Sequence, residues 1–321
     1  MHCLVTGAAG FIGSTLSERL IADGHMVTGI DCLHPYYDRR IKSANLARLL
    51  NSFAFTFVES DLLETEPSPF LSCDIIFHLA GQPGVRASWG TSFNDYVTNN
   101  IQSTQRLLEI VKDSSSLKKF VFASSSSVYG NCPEHPLRET ARPSPISPYG
   151  VTKLTAEHLC SLYRESYGIP VTSLRYFTVY GPRQRPDMAF SRFFLAALLN
   201  QPITIYGDGD QTRDFTYIDD IVGATVKAGM TFAGDSLRVM NIGAGSSTPL
   251  NRVFDHIADI VGTKPVVHYA EAERGDMRDT LADIGTAREV LEYEPSVELI
   301  DGLRRQYKWM RENGALILGS R

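Results

Sequence analysis

Three glycines at a spacing of three, Gly7, Gly10 and Gly13, follow directly on a short apolar strand, His2 to Val5, and restrict what this chain can fold into. A strand, a glycine-rich turn with Phe11 and Ile12 inside it, and a helix reaching about Ala22 let backbone amides approach a pyrophosphate at a helix N-terminus. Glycine turns are common, so the reading needs a second residue. Met26 to Ile30 supplies the next strand and runs into Asp31, eighteen residues past Gly13. A carboxylate at that place accepts from the adenosine ribose hydroxyls. It favours NAD over NADP, because a 2′-phosphate would be repelled.

The pattern continues along the chain. Residues 34 to 52 form a polar, basic excursion that reads as a helical insert. Phe53 to Val58 is a strand running into Asp61 and Leu62; Asp61 is placed either to bond an adenine amino group or to cap a helix. Asp74 to His78 is a buried strand leading into Leu79, Ala80 and Gly81, whose small residues let a cofactor lie against backbone. His78 itself reads as a core histidine. Asn94 to Val111 reads as a helix with Val97, Ile101, Leu108 and Val111 on one face. Lys119 to Ala123 and Val171 to Tyr176 are further strands. Alternation of strands and helices on this scale predicts an α/β fold, a Rossmann-type doubly wound parallel sheet. Ligands of such a sheet sit beyond the carboxyl ends of its strands, where the glycine loop, Asp31, Asp61, Gly81 and the serine run all fall; Tyr176, at the end of its own strand, is a further cofactor candidate.

The chemistry concentrates in Tyr149-Gly150-Val151-Thr152-Lys153. At the start of a helix this spacing puts phenol and ammonium at i and i+4, on one face. A free tyrosine titrates near ~10 and is a poor base at neutral pH. An ammonium within a few ångströms stabilises the phenolate, so that the tyrosine can take a hydroxyl proton. A lone Tyr-x-x-x-Lys is usually an amphipathic helix. Here it follows Ser124-Ser125-Ser126-Ser127 at the end of an apolar strand, which favours catalysis.

From Arg183 the texture changes to turn-rich loops with several arginines: Arg185, Arg192, Arg213 and Arg278, with Arg86 in an earlier loop. On a chain of net charge −5 these suggest local anion binding. The same net charge argues against nucleic acid or a membrane surface as the main partner. The expected organisation is a cofactor domain, 1–182 with 212–243 returning to it, and a smaller α/β lobe of 183–211 and 244–321 that binds substrate. Five cysteines without paired spacing and eight scattered histidines suit a reducing compartment and give no metal site. With no signal peptide read at Met1-His2 and no apolar run of membrane length, the expected location is the cytoplasm.

Together these residues resemble the extended short-chain dehydrogenase/reductase family, specifically its NAD-dependent nucleotide-sugar 4-epimerases, over nearly the whole chain. Gly7-x-x-Gly10-x-x-Gly13, Ser125, Tyr149 and Lys153 are similar to the family's cofactor and catalytic motifs. Gly207-Asp208-Gly209-x-Gln211-x-Arg213-Asp214-Phe215 resembles the loop facing the UDP moiety, which implies that Arg213 takes a diphosphate oxygen. Asp276 and Arg278 fall where relatives hold the ribose and diphosphate. Phe177-Thr178-Val179-Tyr180-Gly181-Pro182-Arg183-Gln184-Arg185-Pro186-Asp187-Met188-Ala189 looks most like the UDP-glucuronate group. UDP-galactose 4-epimerases generally carry Asn where this chain has Thr178, which argues against UDP-glucose as the main substrate. The implied reaction inverts C4 of a UDP-sugar through a 4-keto intermediate, with Tyr149 as base, Lys153 as its partner and Ser125 orienting the hydroxyl. Ser126, Ser127 and Thr178, with Arg185 more distantly, are the expected holders of a substrate carboxylate.

Related 4,6-dehydratases carry an Asp-Glu pair at the positions of Ser126 and Ser127, and related decarboxylases carry Glu at that of Ser127. This chain has neither. A catalytically silent NAD-binding sensor or scaffold would be favoured by loss of Tyr149 or Lys153, and both are present. The resemblance also implies a homodimer through a helical seam near 97–111 and 152–163, faces that an intrachain core would bury equally well.

Overall fold

A computed structural model describes residues 1–232, 239–263 and 266–314. Residues 233–238, 264–265 and 315–321, which fall inside the ranges expected for the two domains, lie outside the described residues. In chain order the strands are β1 (His2–Thr6), β2 (Met26–Asp31), β3 (Phe55–Glu59), β4 (Ile75–His78), β5 (Lys119–Ser125), β6 (Val171–Tyr176) and β7 (Thr178–Tyr180). They continue as β8 (Ile203–Tyr206), β9 (Thr212–Arg213), β10 (Phe215–Tyr217), β11 (Val239–Ile242), β12 (Thr248–Pro249) and β13 (Val267–Ala270).

Seven of these form one sheet in the order β11-β6-β5-β4-β1-β2-β3, every pair parallel. Its central strands are buried on both faces, as a parallel sheet covered by helices requires, and they read as apolar runs rather than alternations. The chain order reverses between β1 and β4, which opens a crevice beyond their carboxyl ends. Helices Phe11–Ala22 and Ile218–Met230 cover one face, packed on the cluster containing Leu16, Leu20, Ile221 and Val222. Helices Ser103–Val111 and Pro148–Tyr167 cover the other, packed on the cluster containing Leu107, Leu108, Ala156 and Cys160. Short sheets β13-β8 and β12-β9 stand outside the main one, with helices Ala189–Leu198 and Leu250–Val261 beside them.

Two elements depart from the sequence reading. The helix expected over 94–111 is a rod interrupted by π-helical Val97–Gln102, with α-helix on either side at Phe93–Tyr96 and Ser103–Val111. Its expected apolar face is divided: Leu108 and Val111 belong to the chain's own core at 0% and 1% exposure, while Val97 and Ile101 are half-buried. On helix Pro148–Tyr167 the exposed large apolar side chains are Val151, Leu162 and Tyr167, with exposed His158 between the first two. The second departure is β5, which extends through Ser125 and so carries half of the serine run on the sheet itself.

Candidate active site

A cleft of about 1230 Å³ opens at the carboxyl ends of the strands. Its wall brings together Gly7, Gly10, Phe11, Ile12, Gly13, Asp31, Asp61, Leu62, Leu79, Ala80, Gly81, Tyr149, Lys153 and Tyr176. The glycine turn is sterically obligatory. Gly7 has φ +71°, and a Cβ on Gly13 would lie 2.1 Å from the Gly7 carbonyl oxygen. Asp31 accepts from the Ala9 amide at 3.1 Å and the Leu33 amide at 2.8 Å, which fixes its carboxylate at the cleft edge. Asp61 accepts from the Leu63 amide at 2.8 Å, so it holds a local turn and lines the cleft at once. His78 is a core histidine, between the Thr6 and Thr104 hydroxyls at 2.8 and 2.9 Å, its pKa pushed down to about 3 by burial and then by the Lys153 charge. Thr6 in turn accepts from the Ala80 amide at 3.1 Å and steadies the loop beneath the cofactor space.

The insert at 34–52 builds part of the wall, a role no motif announced. It contributes His34, Tyr36, Tyr37 and Lys42. Lys42 Nζ lies 3.6 Å from the Asp31 carboxylate with both side chains under 10% exposed (9% and 8%), and 5.2 Å from the Tyr37 ring centroid. The available signal was periodic: Ile41, Lys42, Asn45 and Leu46 share the buried face of helix Arg39–Leu46. The π-helical segment supplies Asn99, and Ser103 follows it on the same wall. Gln82, Ser124 and Arg185 line it too.

Helix Pro148–Tyr167 starts at Ser147, whose side chain accepts from the Gly150 amide at 3.1 Å. This cap sets Tyr149 in the first turn, with its phenol beside Ser125. Burial pushes that phenol above its ordinary pKa, while Ser125 and the Arg185 charge pull the other way. Lys153 Nζ donates to the Ala123 carbonyl at 2.9 Å and stands 5.2 Å from the Phe122 ring centroid. The ammonium is thereby anchored to strand β5, on the same cleft wall as the phenol. Burial brings the Lys153 pKa down to about 8, with Cys160 and Glu157 opposing.

The serine run alternates. Ser124 and Ser126 are buried, at 3% and 7% exposure, whereas Ser125 and Ser127 are half-buried. Ser125 Oγ accepts from the Ser127 amide and donates to Ser127 Oγ, both at 3.2 Å. Of the run, Ser124 lines the cleft wall, and Ser125, Ser126 and Ser127 stand behind it. Ser124 donates to Glu157, which also holds Arg175 through bonds of 3.0 and 2.8 Å, so a buried ion pair backs the catalytic helix.

A second cleft of about 1010 Å³ contains Arg86, Arg192, Asp276, Tyr206 and Gln211 in its wall and shares Tyr36 with the first. Arg86 bonds Asp276 at 2.6 Å and lies 4.2 Å from the Tyr206 ring centroid, with Arg192 5.9 Å from the same ring. Arg213 donates to the Thr212 and Arg278 carbonyls at 2.9 and 3.0 Å. Arg278 lines neither cleft; it pairs with Asp208 at 2.9 Å, both side chains more than half exposed (58% and 53%). Thr178 is half-buried at the start of β7, paired with Phe215. Arg185 pairs with Asp187 at 3.0 Å yet lines the first cleft rather than the second, nearer the phenol than its sequence position indicated. Among the described residues the buried side-chain polar atoms without a partner are His34 Nδ1, in the first cleft wall, and Gln211 Oε1, in the second.

The sheet order, the glycine turn and the Ser125, Tyr149 and Lys153 group are accompanied by a match to the NAD dependent epimerase/dehydratase family over residues 3–243. The chain belongs to that family. The "Uncharacterized UDP-glucose epimerase YtcB" of Bacillus subtilis is 46% identical over 97% of this chain and 98% of that protein. A UDP-glucuronate 4-epimerase of Thermodesulfobacterium geofontis is 39% identical over 98% of each. The crystal structure of UDP-glucuronic acid 4-epimerase from Bacillus cereus, in complex with UDP-glucuronic acid and NAD, superposes with a TM-score of 0.93 at 44% identity, covering 97% of this chain and 99% of that one. The first cleft fits the family's cofactor, with an anion-accepting glycine turn, a ribose-facing carboxylate and an orphaned polar atom in one wall. Among the described residues no group of three or more His, Cys, Asp or Glu is placed to hold a metal ion, and no helix is long and apolar enough to cross a membrane.

Proposed function

We propose that this chain inverts C4 of a UDP-sugar, UDP-glucuronate giving UDP-galacturonate. The reaction class follows from family membership and from Tyr149 and Lys153 on the wall of an NAD-type cleft, with Ser125 beside the phenol. The observation that carries the choice of sugar is Arg185, a cation on the wall of the cleft that holds Tyr149, in a chain with no carboxylate at positions 126 or 127.

Tyr149 removes the 4-hydroxyl proton, Ser125 orients that hydroxyl, and Lys153 steadies the phenolate and the nicotinamide ribose. NAD supplies the hydride acceptor and donor at C4. The second cleft, with Arg86, Arg192 and Asp276 joined by Arg213 and Gln211, holds the UDP moiety while the keto sugar turns its other face. Ser127, Thr178 and Arg185 hold the C5 carboxylate. Oxidised at C4, UDP-glucuronate is a β-keto acid that loses carbon dioxide when its carboxylate stands perpendicular to the ketone. Charge-assisted hydrogen bonds that keep it out of that geometry retain the carbon. In this reading 183–211 and 244–321 act as the substrate lobe, and two cytoplasmic copies pair through Val151, His158 and Leu162.

Proton NMR of UDP-glucuronate, UDP-glucose and UDP-N-acetylglucosamine with purified protein tests the assignment. UDP-galacturonate with at most a trace of UDP-pentose is expected. Equal efficiency on UDP-glucose removes the carboxylate reading and leaves a UDP-sugar 4-epimerase; mainly UDP-pentose makes the protein a decarboxylase.

A further inference from the structure

Arg185 sits on a loop that runs from Gly181 into the first turn of helix Ala189–Leu198 and whose backbone is caged by buried polar side chains. Gln306, on helix Leu299–Glu312, accepts from the Gly181 amide at 3.0 Å and donates to Gln184 Oε1 at 2.8 Å. Gln184 donates to the Val179 carbonyl at 3.1 Å and accepts from the Ser191 amide and hydroxyl, each at 3.1 Å. All three side chains are buried, with Gln306 at 0% exposure and Gln184 and Ser191 at 5%. The two ends of the loop are therefore joined through Gln184 and Gln306, and Arg185 is the next residue.

Inside the cage the backbone is held in conformations it would not choose. Arg183 has φ +68°, a costly region for a residue with a side chain, and its guanidinium is pinned to Glu18 of helix Phe11–Ala22 at 2.8 Å. Gly181 has φ +138°, and a Cβ there would lie 2.6 Å from Ile218. Packing alone does not require an amide at position 306, since its neighbours on the helix, Leu303 and Met310, are apolar and an apolar side chain would avoid the cost of burying polar atoms. What the place requires is one group that accepts on one side and donates on the other, which an amide does and neither a carboxylate nor a hydrocarbon does.

We propose that Gln306 is a positioning residue: by joining Gly181 to Gln184 it sets Arg185 against the substrate carboxylate, and so fixes the choice among UDP-sugars from a helix that lines neither cleft. This rests on the carboxylate reading above. Gln306→Met keeps the length of the side chain and removes its bonds to Gly181, Gln184 and Ser191. Gln306→Glu keeps the acceptor for Gly181 and loses the donations to Gln184 and Ser191, which serves if the first variant folds poorly.

The measurements are kcat/KM for UDP-glucuronate and UDP-glucose, the UDP-pentose fraction of product, and Tm and retained NAD as controls. The preference for UDP-glucuronate over UDP-glucose should fall about tenfold in Gln306→Met, as expected when a hydrogen bond to a charged group is lost. UDP-pentose should rise, while kcat on UDP-glucose and NAD content hold. A smaller change of the same sign is expected for Gln306→Glu. If the wild type prefers UDP-glucuronate and the folded variants lose Tm but keep that preference, Gln306 is structural and the inference fails alone. If the wild type shows no preference, the carboxylate reading fails and the inference with it.

Discussion

The two clefts are built on different principles. The first is shaped by backbone: a glycine turn that admits no Cβ, strand ends fixed by sheet register, and a helix start set by its Ser147 cap. The second is shaped by charged side chains in its wall, Arg86 already paired with Asp276 and Arg192 beside the same Tyr206 ring. A backbone cleft is preformed and its residues act on the chemical step. A cleft of ion pairs must exchange an aspartate for a ligand anion, so its residues act on binding. Effects on kcat should therefore sort to the first and effects on KM to the second.

The largest expected effect is at Tyr149. Tyr149→Phe removes one hydroxyl, so NAD content should stay intact while kcat falls roughly 10²-fold or more. Retained turnover in steady-state assays would take the base away from the first cleft and break the comparison outright. Next comes Arg86→Ala, which should raise KM for UDP-glucuronate about tenfold and move kcat little, because a charge-assisted bond to the bound anion is lost. An equal fall in kcat would mean that the second cleft also shapes the transition state.

A third measurement is the pH profile. With the Lys153 pKa near about 8, the ammonium is the main form below that pH and is lost above it. If the charged form is needed, the rate should fall roughly threefold between about pH 7.5 and 8.5 for one group titrating at that pKa. Lys153→Arg, whatever its absolute rate, should lack this limb because a guanidinium stays charged. The smallest effect is at the cap: Ser147→Ala should lower stability by about 1 kcal/mol in denaturant titrations and leave the pH profile unchanged. A large fall in kcat there would show that the cap sets the phenol's position as well as the helix.

The first cleft was legible in the sequence because its requirements are local. Gly7, Gly13 and Asp31 announce themselves by spacing, and Tyr149 and Lys153 by their shared helix face. Lys42 and Gln306 were not legible, because Lys42 acts on Asp31 and Gln306 on Gly181 and Gln184, partners chosen by packing and not by local spacing. The placements of Ser126 and Arg278 were not legible either: Ser126 follows β5 in a short helical turn and is buried, and Arg278 pairs with Asp208 outside both clefts. Arg185 was underrated because a caged loop, which no propensity describes, carries it to the first cleft.

Tyr36 belongs to both walls, and its hydroxyl reaches Asp187, the partner of Arg185, at 3.4 Å. One side chain common to two binding spaces makes their occupancies thermodynamically linked: if filling one shifts Tyr36, the other's affinity changes by some factor, and reciprocity demands the same factor in return. An epimerase regains its cofactor unchanged at the end of every turnover and has no use for releasing it. Through this shared wall, the sugar nucleotide that tightens as NAD binds would also keep NAD in place while the keto sugar turns.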